Sequence, residues 1–241
     1  MTDEDQDEDR ELNPPSGDRV LRRAWALSSV VCRAFIENFE DTAEAAVLHS
    51  RILSWIDATG IRSEFEAEEL AVVETELGSL DQKALIHGTW RSEGLVVLAW
   101  ALGVTNIPQH DQLVDPAEVA NSIHFLSDDA LQATEDLKLR SAEELGVFSE
   151  TQFALHWRIR DFSLQQQAMD FRKFAETAWF GPLRIEGIPL VEDDLAIDDV
   201  PIAKAPEERF WQCRSIAAER HQAINWLQGW DEVYSEVDTS T

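Results

Sequence analysis

The stretch SLDQKALIHGTWRSEGLVVLAWALG, residues 79–103, decides the fold class of this chain. Ser79-x-x-Gln82 is typical of a helix start and Gly103 of a helix end, so the pattern predicts one long helix between them. The apolar run at 94–104 has about half of the roughly 20 residues that a bilayer span needs. We therefore expect this helix to lie in a protein core and not in a membrane.

Helical patterns continue on both sides of this segment. Apolar residues spaced three and four apart predict a first helix from Asp18, and capping patterns predict further helix starts. These starts lie at Asp41-x-x-Glu44, Ser63-x-x-Glu66, Asp115-Pro116-x-Glu118 and Ser141-x-x-Glu144. A further helical stretch follows at about 169–180. The sequence therefore predicts a body made mainly of helices.

The pattern changes after Gly181-Pro182. Short apolar stretches separated by Glu-Gly and Asp-Asp predict a small antiparallel hairpin or meander at about 183–202. Pro206 then begins a final helix that runs to about residue 229. Because no linker-like stretch divides residues 18–241, we predict a mainly α fold: a single multi-helix domain with the β element before its last helix.

The chain is strongly acidic, with 47 Asp and Glu against 20 Lys and Arg and a formal net charge of −27. Residues 1–17 hold seven of the acids and few apolar side chains, so we predict a disordered acidic tail there. Such a chain is poorly suited to nucleic acid or to an anionic membrane surface. Only four of the basic residues are lysines, which fits a GC-rich genome and also fits adaptation to high salt.

The sequence carries no motif of an enzyme or of a metal site. Without a basic and apolar leader, a cytoplasmic protein is expected. Cys32 and Cys213 fall in helical patterns outside any Cys-x-x-Cys pair, and no two of the six histidines have His-x-x-x-His spacing. Phosphate-binding glycine loops and Gly-x-Ser-x-Gly are absent as well. We therefore predict no metal, no cofactor and no catalytic residue.

Three helices carry polar residues where the apolar periodicity predicts a buried side chain. Glu93 interrupts the apolar stripe of the long helix, and Arg220 interrupts that of the last helix. His156 and Arg160 lie between apolar positions of the sixth helix. Since a lone buried charge costs several kcal/mol, these groups must be paired. We predict that Glu93 pairs with Arg220 or Arg160, in a polar cluster that also includes His156 and Asn225.

Several segments resemble a known family. They are TWRSEGLVVLAWALGV at 89–104, LHWRIRDFSL at 155–164, and SIAAERHQAINWLQG at 215–229 followed by YSEVDTST at 234–241. In this order they resemble the bacterial family of domain of unknown function 4272, from about residue 19 to the end. The resemblance implies no established activity and transfers no catalytic residue. All five residues of the predicted cluster lie in the matching segments.

Two functions stay open at this point. The first is a soluble, non-enzymatic protein-interaction domain whose acidic surface binds a basic partner, as antidote and immunity proteins do. The second is a small-ligand-binding protein or an enzyme that uses Glu93, His156, Arg160 and Arg220. Buried Glu–Arg pairs commonly fix the register of helical proteins, and no nucleophile motif lies nearby, so we favour the first function. The sequence leaves the oligomeric state open.

Overall fold

The computed structural model describes residues 12–241 and is 60% helical. The helices are α1 (Gly17–Ile36), α2 (Thr42–Thr59), α3 (Ala67–Glu74), α4 (Gln82–Ala101), α5 (Pro116–Ser122), α6 (Ala130–Ala133), α7 (Ala142–Gln165), α8 (Phe171–Thr177) and α9 (Glu207–Leu227). Three strands precede α9, namely β1 (Leu190–Val191), β2 (Asp194–Ile197) and β3 (Val200–Pro201). The predicted mainly α fold, with a small antiparallel β element before the last helix, is confirmed.

Side-chain caps begin several helices where the sequence indicates them. The Asp41 carboxylate accepts hydrogen bonds from the backbone N–H groups of Ala43 and Glu44, at 3.0 and 2.9 Å. Ser141 and Glu144 form a reciprocal capping box at the start of α7. These bonds satisfy N–H groups that have no partner inside the helix.

Two helices begin later than predicted. Residues Ile61–Glu64 form a short 3-10 turn, and α3 starts after Glu66, whose backbone N–H donates to the Glu69 carboxylate at 3.0 Å. The start predicted at Ser63 is therefore wrong. The long helix α4 starts after Asp81, two residues later than predicted, because the Asp81 carboxylate accepts the capping hydrogen bond.

Helices α1, α4, α9 and α7 pack against one another in that order. From Ser92 to Ala99 every residue of α4 is buried, because α4 lies between α1 and α9. A helix enclosed in this way is usually apolar on all sides, and Ser92 and Glu93 are the polar exceptions in this stretch. Within residues 12–241, no helix combines the length and the apolar character that crossing a membrane requires.

Two clusters of buried apolar side chains share α9. The larger cluster joins α1, α2 and α4 to the last turns of α9, including Ile224 and Leu227. The smaller cluster joins α7, α8 and the strands to the first turns of α9, including Phe210 and Cys213. Arg220 therefore lies on α9 between the residues that pack into one cluster and those that pack into the other.

Strand β2 lies in the middle of the sheet and pairs antiparallel with both neighbours. Its two tight turns, at Glu192-Asp193 and Asp198-Asp199, have positive φ at all four residues. This is the backbone conformation of two-residue turns that match the twist of a hairpin. The strands occupy 190–201, so the first part of the predicted 183–202 element has no strand.

The helical body begins earlier than the predicted boundary between residues 17 and 18. Residues 1–11 of the predicted tail lie outside the described residues. The Asn13 N–H donates to the Gly229 carbonyl at 3.2 Å, and Ser16 caps α1. A Cβ at Gly229 would lie 2.3 Å from the Asn13 carbonyl carbon, so only glycine allows this approach. Residues 13–17 thus pack with the body, which corrects the predicted extent of the tail.

Candidate functional site

Glu93 on α4 and Arg220 on α9 form a buried ion pair, which we call the buried pair. Arg220 Nε and Nη2 donate to Glu93 Oε2 at 3.0 and 2.8 Å, and the side chains are 1% and 0% exposed. The second carboxylate oxygen, Oε1, accepts the backbone N–H of Val114 at 3.0 Å. Both oxygens of Glu93 therefore already have protein donors.

The buried pair also holds the irregular connection between α4 and α5, residues 102–115. Arg220 Nη1 donates to the carbonyl oxygens of Pro108 and Gln109, at 3.0 and 3.1 Å. Its Nη2 donates to the carbonyl of Gln112 at 2.9 Å. This guanidinium therefore ties three carbonyl groups of the connection to α9, in addition to the backbone hydrogen bond from the Gln112 N–H to the Gln109 carbonyl at 3.1 Å.

Three further buried arginines have the same kind of partners. They pair with carboxylates as follows: Arg23 with Glu69, Arg33 with Glu37, and Arg158 with Asp194. Each of them also donates to at least one backbone carbonyl. A buried arginine that joins a carboxylate to a connecting segment is thus a repeated feature of this chain. The repetition favours a structural role for Arg220.

The five predicted residues do not form one cluster. Arg160 is exposed, because the buried side of α7 runs through Leu155, Arg158 and Phe162. Arg158 is 0% exposed, and its Nε and Nη2 donate to the two oxygens of Asp194, both at 2.7 Å. The spacing of three and seven residues from Leu155 is the sequence signal that points to Arg158 and not to Arg160.

His156 contacts His221, and not the buried pair. The two Nδ1 atoms are 2.8 Å apart, so one donates and the other accepts, and the neutral rings must hold different tautomers. Burial lowers the pKa of His156 to about 4, assisted by the charges of Arg160 and Arg214. Burial and the neighbouring His156 lower the pKa of His221 to about 3. Both rings are therefore uncharged at neutral pH.

His221 borders an open groove of about 960 Å³ between α7, the connection from α8 to β1, α9 and the C-terminal residues. We call it the aromatic groove, because five aromatic side chains line it: Phe153, Trp157, Trp179, Phe180 and Trp230. Trp179 is 91% exposed. A groove of this size with aromatic walls is typical of binding sites.

Asn225, the fifth predicted residue, also lines the aromatic groove. Its Nδ2 donates to the Asp238 carbonyl at 3.0 Å, which holds the last residues of the chain along the groove. The Asp238 carboxylate in turn accepts the Ser240 backbone N–H at 2.7 Å. Sequence reasoning missed His221, since 65 residues separate it from His156 and no local pattern joins them.

Neither Cys32 nor Cys213 lines the aromatic groove. Burial raises the pKa of the Cys32 thiol to about 11 and that of Cys213 to about 12, so neither is a thiolate at neutral pH. Among residues 12–241, no group of three or more His, Cys, Asp or Glu side chains is placed to hold a metal ion. The aromatic groove offers indole faces, carboxylates and the neutral imidazole of His221.

Comparison with protein families gives a match to the family described as "Domain of unknown function (DUF4272)", over residues 6–172. This range is more than half of the chain, and the chain belongs to that family. The matched range includes Glu93 and His156 and ends before α9, so Arg220 and Asn225 lie outside it. Neither the curated proteins nor the solved structures contain a significant match.

Proposed function

We propose that this member of the DUF4272 family is a non-enzymatic protein-interaction domain, an acidic binder of a basic partner of the antidote or immunity type. The observation that carries the proposal is the burial of the one carboxylate in the predicted acid–base set. A general acid or base must reach its substrate, whereas Glu93 is 0% exposed and both of its oxygens have protein donors.

The charge of the chain supports the same proposal. Residues 1–11, with seven acids and one arginine, account for −6 of the formal −27, which leaves −21 for the rest. Within residues 12–241, four arginines are buried against carboxylates, so these neutral pairs do not offset the acidity of the surface. An acidic surface accelerates association with basic proteins and disfavours acidic ones.

The test is affinity capture from a native cell lysate on the immobilised full chain. The column is washed at about 50 mM salt and eluted at about 300 mM salt. We expect a protein with a pI above about 9 to elute with salt. The purified partner should then form a defined complex with the chain in size-exclusion chromatography. A second column, carrying an unrelated protein of equal net charge, controls for simple ion exchange.

Two results would contradict the proposal. One is the absence of any salt-eluted basic protein from the column. The other is a partner that binds the unrelated acidic protein equally well, since its capture would then reflect charge alone. Either result would leave the acidity of the chain to be explained by adaptation to salt.

The second candidate function is a small-ligand-binding protein or an enzyme. The aromatic groove supports it, because about 960 Å³ of open space exceeds the roughly 300 Å³ at which ligand pockets begin. Of the residues first assigned to this function, Glu93 and Arg220 are buried and Arg160 is exposed. The function would instead depend on His221 and Asn225. Thermal denaturation against a panel of metabolites tests it, and a shift abolished by Asn225→Ala would favour it.

A further inference from the structure

The most exposed large hydrophobic side chain in residues 12–241 lies on the aromatic groove. Trp179 is 91% exposed, and Trp230 and Phe180 beside the same groove are 42% and 37% exposed. Single exposed apolar residues are ordinary, but several aromatic residues around one concave surface mark an interaction site. The aromatic groove is therefore a candidate interaction surface for a group that aromatic faces bind well.

The aromatic side chains are held by a well-packed base. Trp157 on α7 stacks on Phe174 of α8, with ring centroids 4.3 Å apart and an angle of 12° between the planes. Phe180 packs against Trp157 at 5.9 Å and against Trp179 at 5.2 Å. Gly181 has a φ of 116°, which glycine adopts without strain, and its N–H donates to the Ala178 carbonyl at 3.0 Å. This turn presents Trp179 at the edge of the groove.

The charged residues along the groove are mostly acidic. Glu150, Glu186 and Asp238 line it, against the single guanidinium of Arg184. Arg184 pairs with Glu150, and its Nη1 is 3.8 Å from the Glu186 carboxylate, which is 77% exposed. Glu186 is therefore largely available to an incoming cation.

The protonation states of Asp238 and His221 keep the aromatic groove acidic. Hydrogen bonds from Ser240 lower the pKa of the Asp238 carboxyl, and the exposed Arg160 nearby lowers it further, so Asp238 is anionic. His221 is neutral, because burial and the adjacent His156 lower its pKa to about 3. A cation in the groove thus meets carboxylates and aromatic faces without a charged imidazole beside them.

We propose that the aromatic groove binds a cationic side chain, arginine or lysine, from an exposed segment of the basic partner. Cations bind over the faces of tryptophan rings, and a carboxylate at the rim of the groove also attracts a cation. Trp179 supplies the exposed aromatic face, and Glu186 supplies the carboxylate. This inference rests on the proposed function and assigns a surface to it.

The test measures binding of a fluorescent peptide of alternating arginine and glycine to the full chain by fluorescence anisotropy. The control peptide carries citrulline, which keeps the shape of arginine and removes its charge. Two variants address the groove, Trp179→Ala and Glu186→Gln. Matched controls outside the groove are Trp211→Ala on α9, 42% exposed, and the exposed Glu135→Gln, which changes net charge equally.

We expect Trp179→Ala to weaken binding of the arginine peptide by about tenfold and Glu186→Gln to weaken it by about threefold. Trp211→Ala and Glu135→Gln should change the affinity by less than about twofold, and the citrulline peptide should bind at least about tenfold more weakly. These results would together support the assignment.

Other outcomes overturn it in distinguishable ways. If the wild-type chain binds the peptide and Trp179→Ala binds equally well, the groove is not the site, while the proposed function stands. If arginine and citrulline peptides bind alike, the occupant is not a cation. If tetramethylammonium binds the groove and the peptide does not, the occupant is a small molecule. If neither the peptide nor any basic protein binds, the proposed function itself fails.

Discussion

Arg220 and His221 are consecutive residues of α9, yet they belong to two regions that use buried polar groups differently. Arg220 is 1% exposed, and its guanidinium donates to Glu93 and to three carbonyl groups. His221 is 2% exposed, but its ring borders an open groove. Burial alone therefore does not separate a structural group from one at a binding surface. The partners of the polar atoms and the access to solvent separate them.

Glu219, the residue before Arg220, contacts a third region of the fold. Glu219 pairs with Arg91 of α4 at 3.2 Å, while Arg220 pairs with Glu93 and His221 contacts His156 of α7. Burial raises the pKa of Glu219, and the charge of Arg91 opposes that shift. Each residue turns about 100° around the helix axis, so three neighbours in sequence meet three partners. Consecutive polar residues in a helix thus do not imply a shared site.

Breaking the buried pair should have the largest effect on stability. Arg220→Ala leaves the Glu93 carboxylate buried without its cation and removes the side-chain donor of three carbonyl groups in the connection between α4 and α5. We expect a loss of about 3–5 kcal/mol in the free energy of unfolding, measured by urea denaturation. The matched control, Arg160→Ala, removes an exposed guanidinium and should cost less than about 0.5 kcal/mol. Equal losses for the two variants would contradict the contrast between them.

Removing Arg158 should have a smaller but similar effect. Its partner Asp194 keeps hydrogen bonds from the backbone N–H groups of Met169 and Leu195, at 3.1 and 2.8 Å, so the carboxylate stays partly satisfied. We expect Arg158→Ala to cost about 2–3 kcal/mol in urea denaturation. Arg172→Ala, at an exposed pair with Asp193, serves as the control and should cost less than about 1 kcal/mol. A loss below that of the control would argue against a structural role for the Arg158–Asp194 pair.

The histidine pair should make stability depend on pH. The folded-state pKa values, about 4 for His156 and about 3 for His221, lie below the roughly 6.5 of an unfolded histidine. Between about pH 6.5 and 4 the unfolded chain therefore binds more protons, and stability falls as the pH falls. We expect each of the two rings to contribute a loss of about 3 kcal/mol over this window.

Urea denaturation from about pH 7.5 to 4 measures this slope. His221→Gln removes one ring and should flatten the slope relative to the wild type, whereas the exposed His124→Asn should leave it unchanged. All three proteins carry the same carboxylates, so the differences in slope report the substituted histidine and its effect on neighbouring carboxyls. A slope in His221→Gln identical to that of the wild type would show that the pair is charged or open to water.

The exposed indole should matter least for stability. Trp179 is 91% exposed, so Trp179→Ala removes little buried area and should change the free energy of unfolding by less than about 0.5 kcal/mol. The same urea experiment provides the measurement. A loss above about 2 kcal/mol would show that Trp179 is packed in solution, and its role at the groove would then need another explanation.

Local patterns predicted the helices well, because caps and apolar spacing act within a few residues. Asp41, Asp115 and Ser141 each cap the helix that the sequence indicates. The failure at Ser63 has a tertiary cause. Glu69 forms the capping box of α3 and also pairs with Arg23 of α1, 46 residues earlier, a contact that no local pattern contains.

The site was harder to predict for the same reason. The apolar spacing around Glu93 extends back along α4 to Ile86, yet Ile86 is 44% exposed, because α4 is enclosed only in its second half. On α7 the predicted positions include His156, which is buried, and Arg160, which is exposed, while the buried arginine is Arg158. The contact of His156 with His221 and the assembly of the groove from four separate segments depend on long-range packing.

The most direct measurement is a proton–nitrogen correlation spectrum of the nine tryptophan indole N–H groups during titration with the arginine peptide. The side chains of Trp25 and Trp226 are buried and donate to backbone carbonyls at 2.8 and 3.3 Å, so they serve as internal references. Binding in the groove should shift the Trp179 and Trp230 signals and leave the references in place. Shifts absent from both groove indoles, or equal in all nine, would contradict a binding site in the aromatic groove.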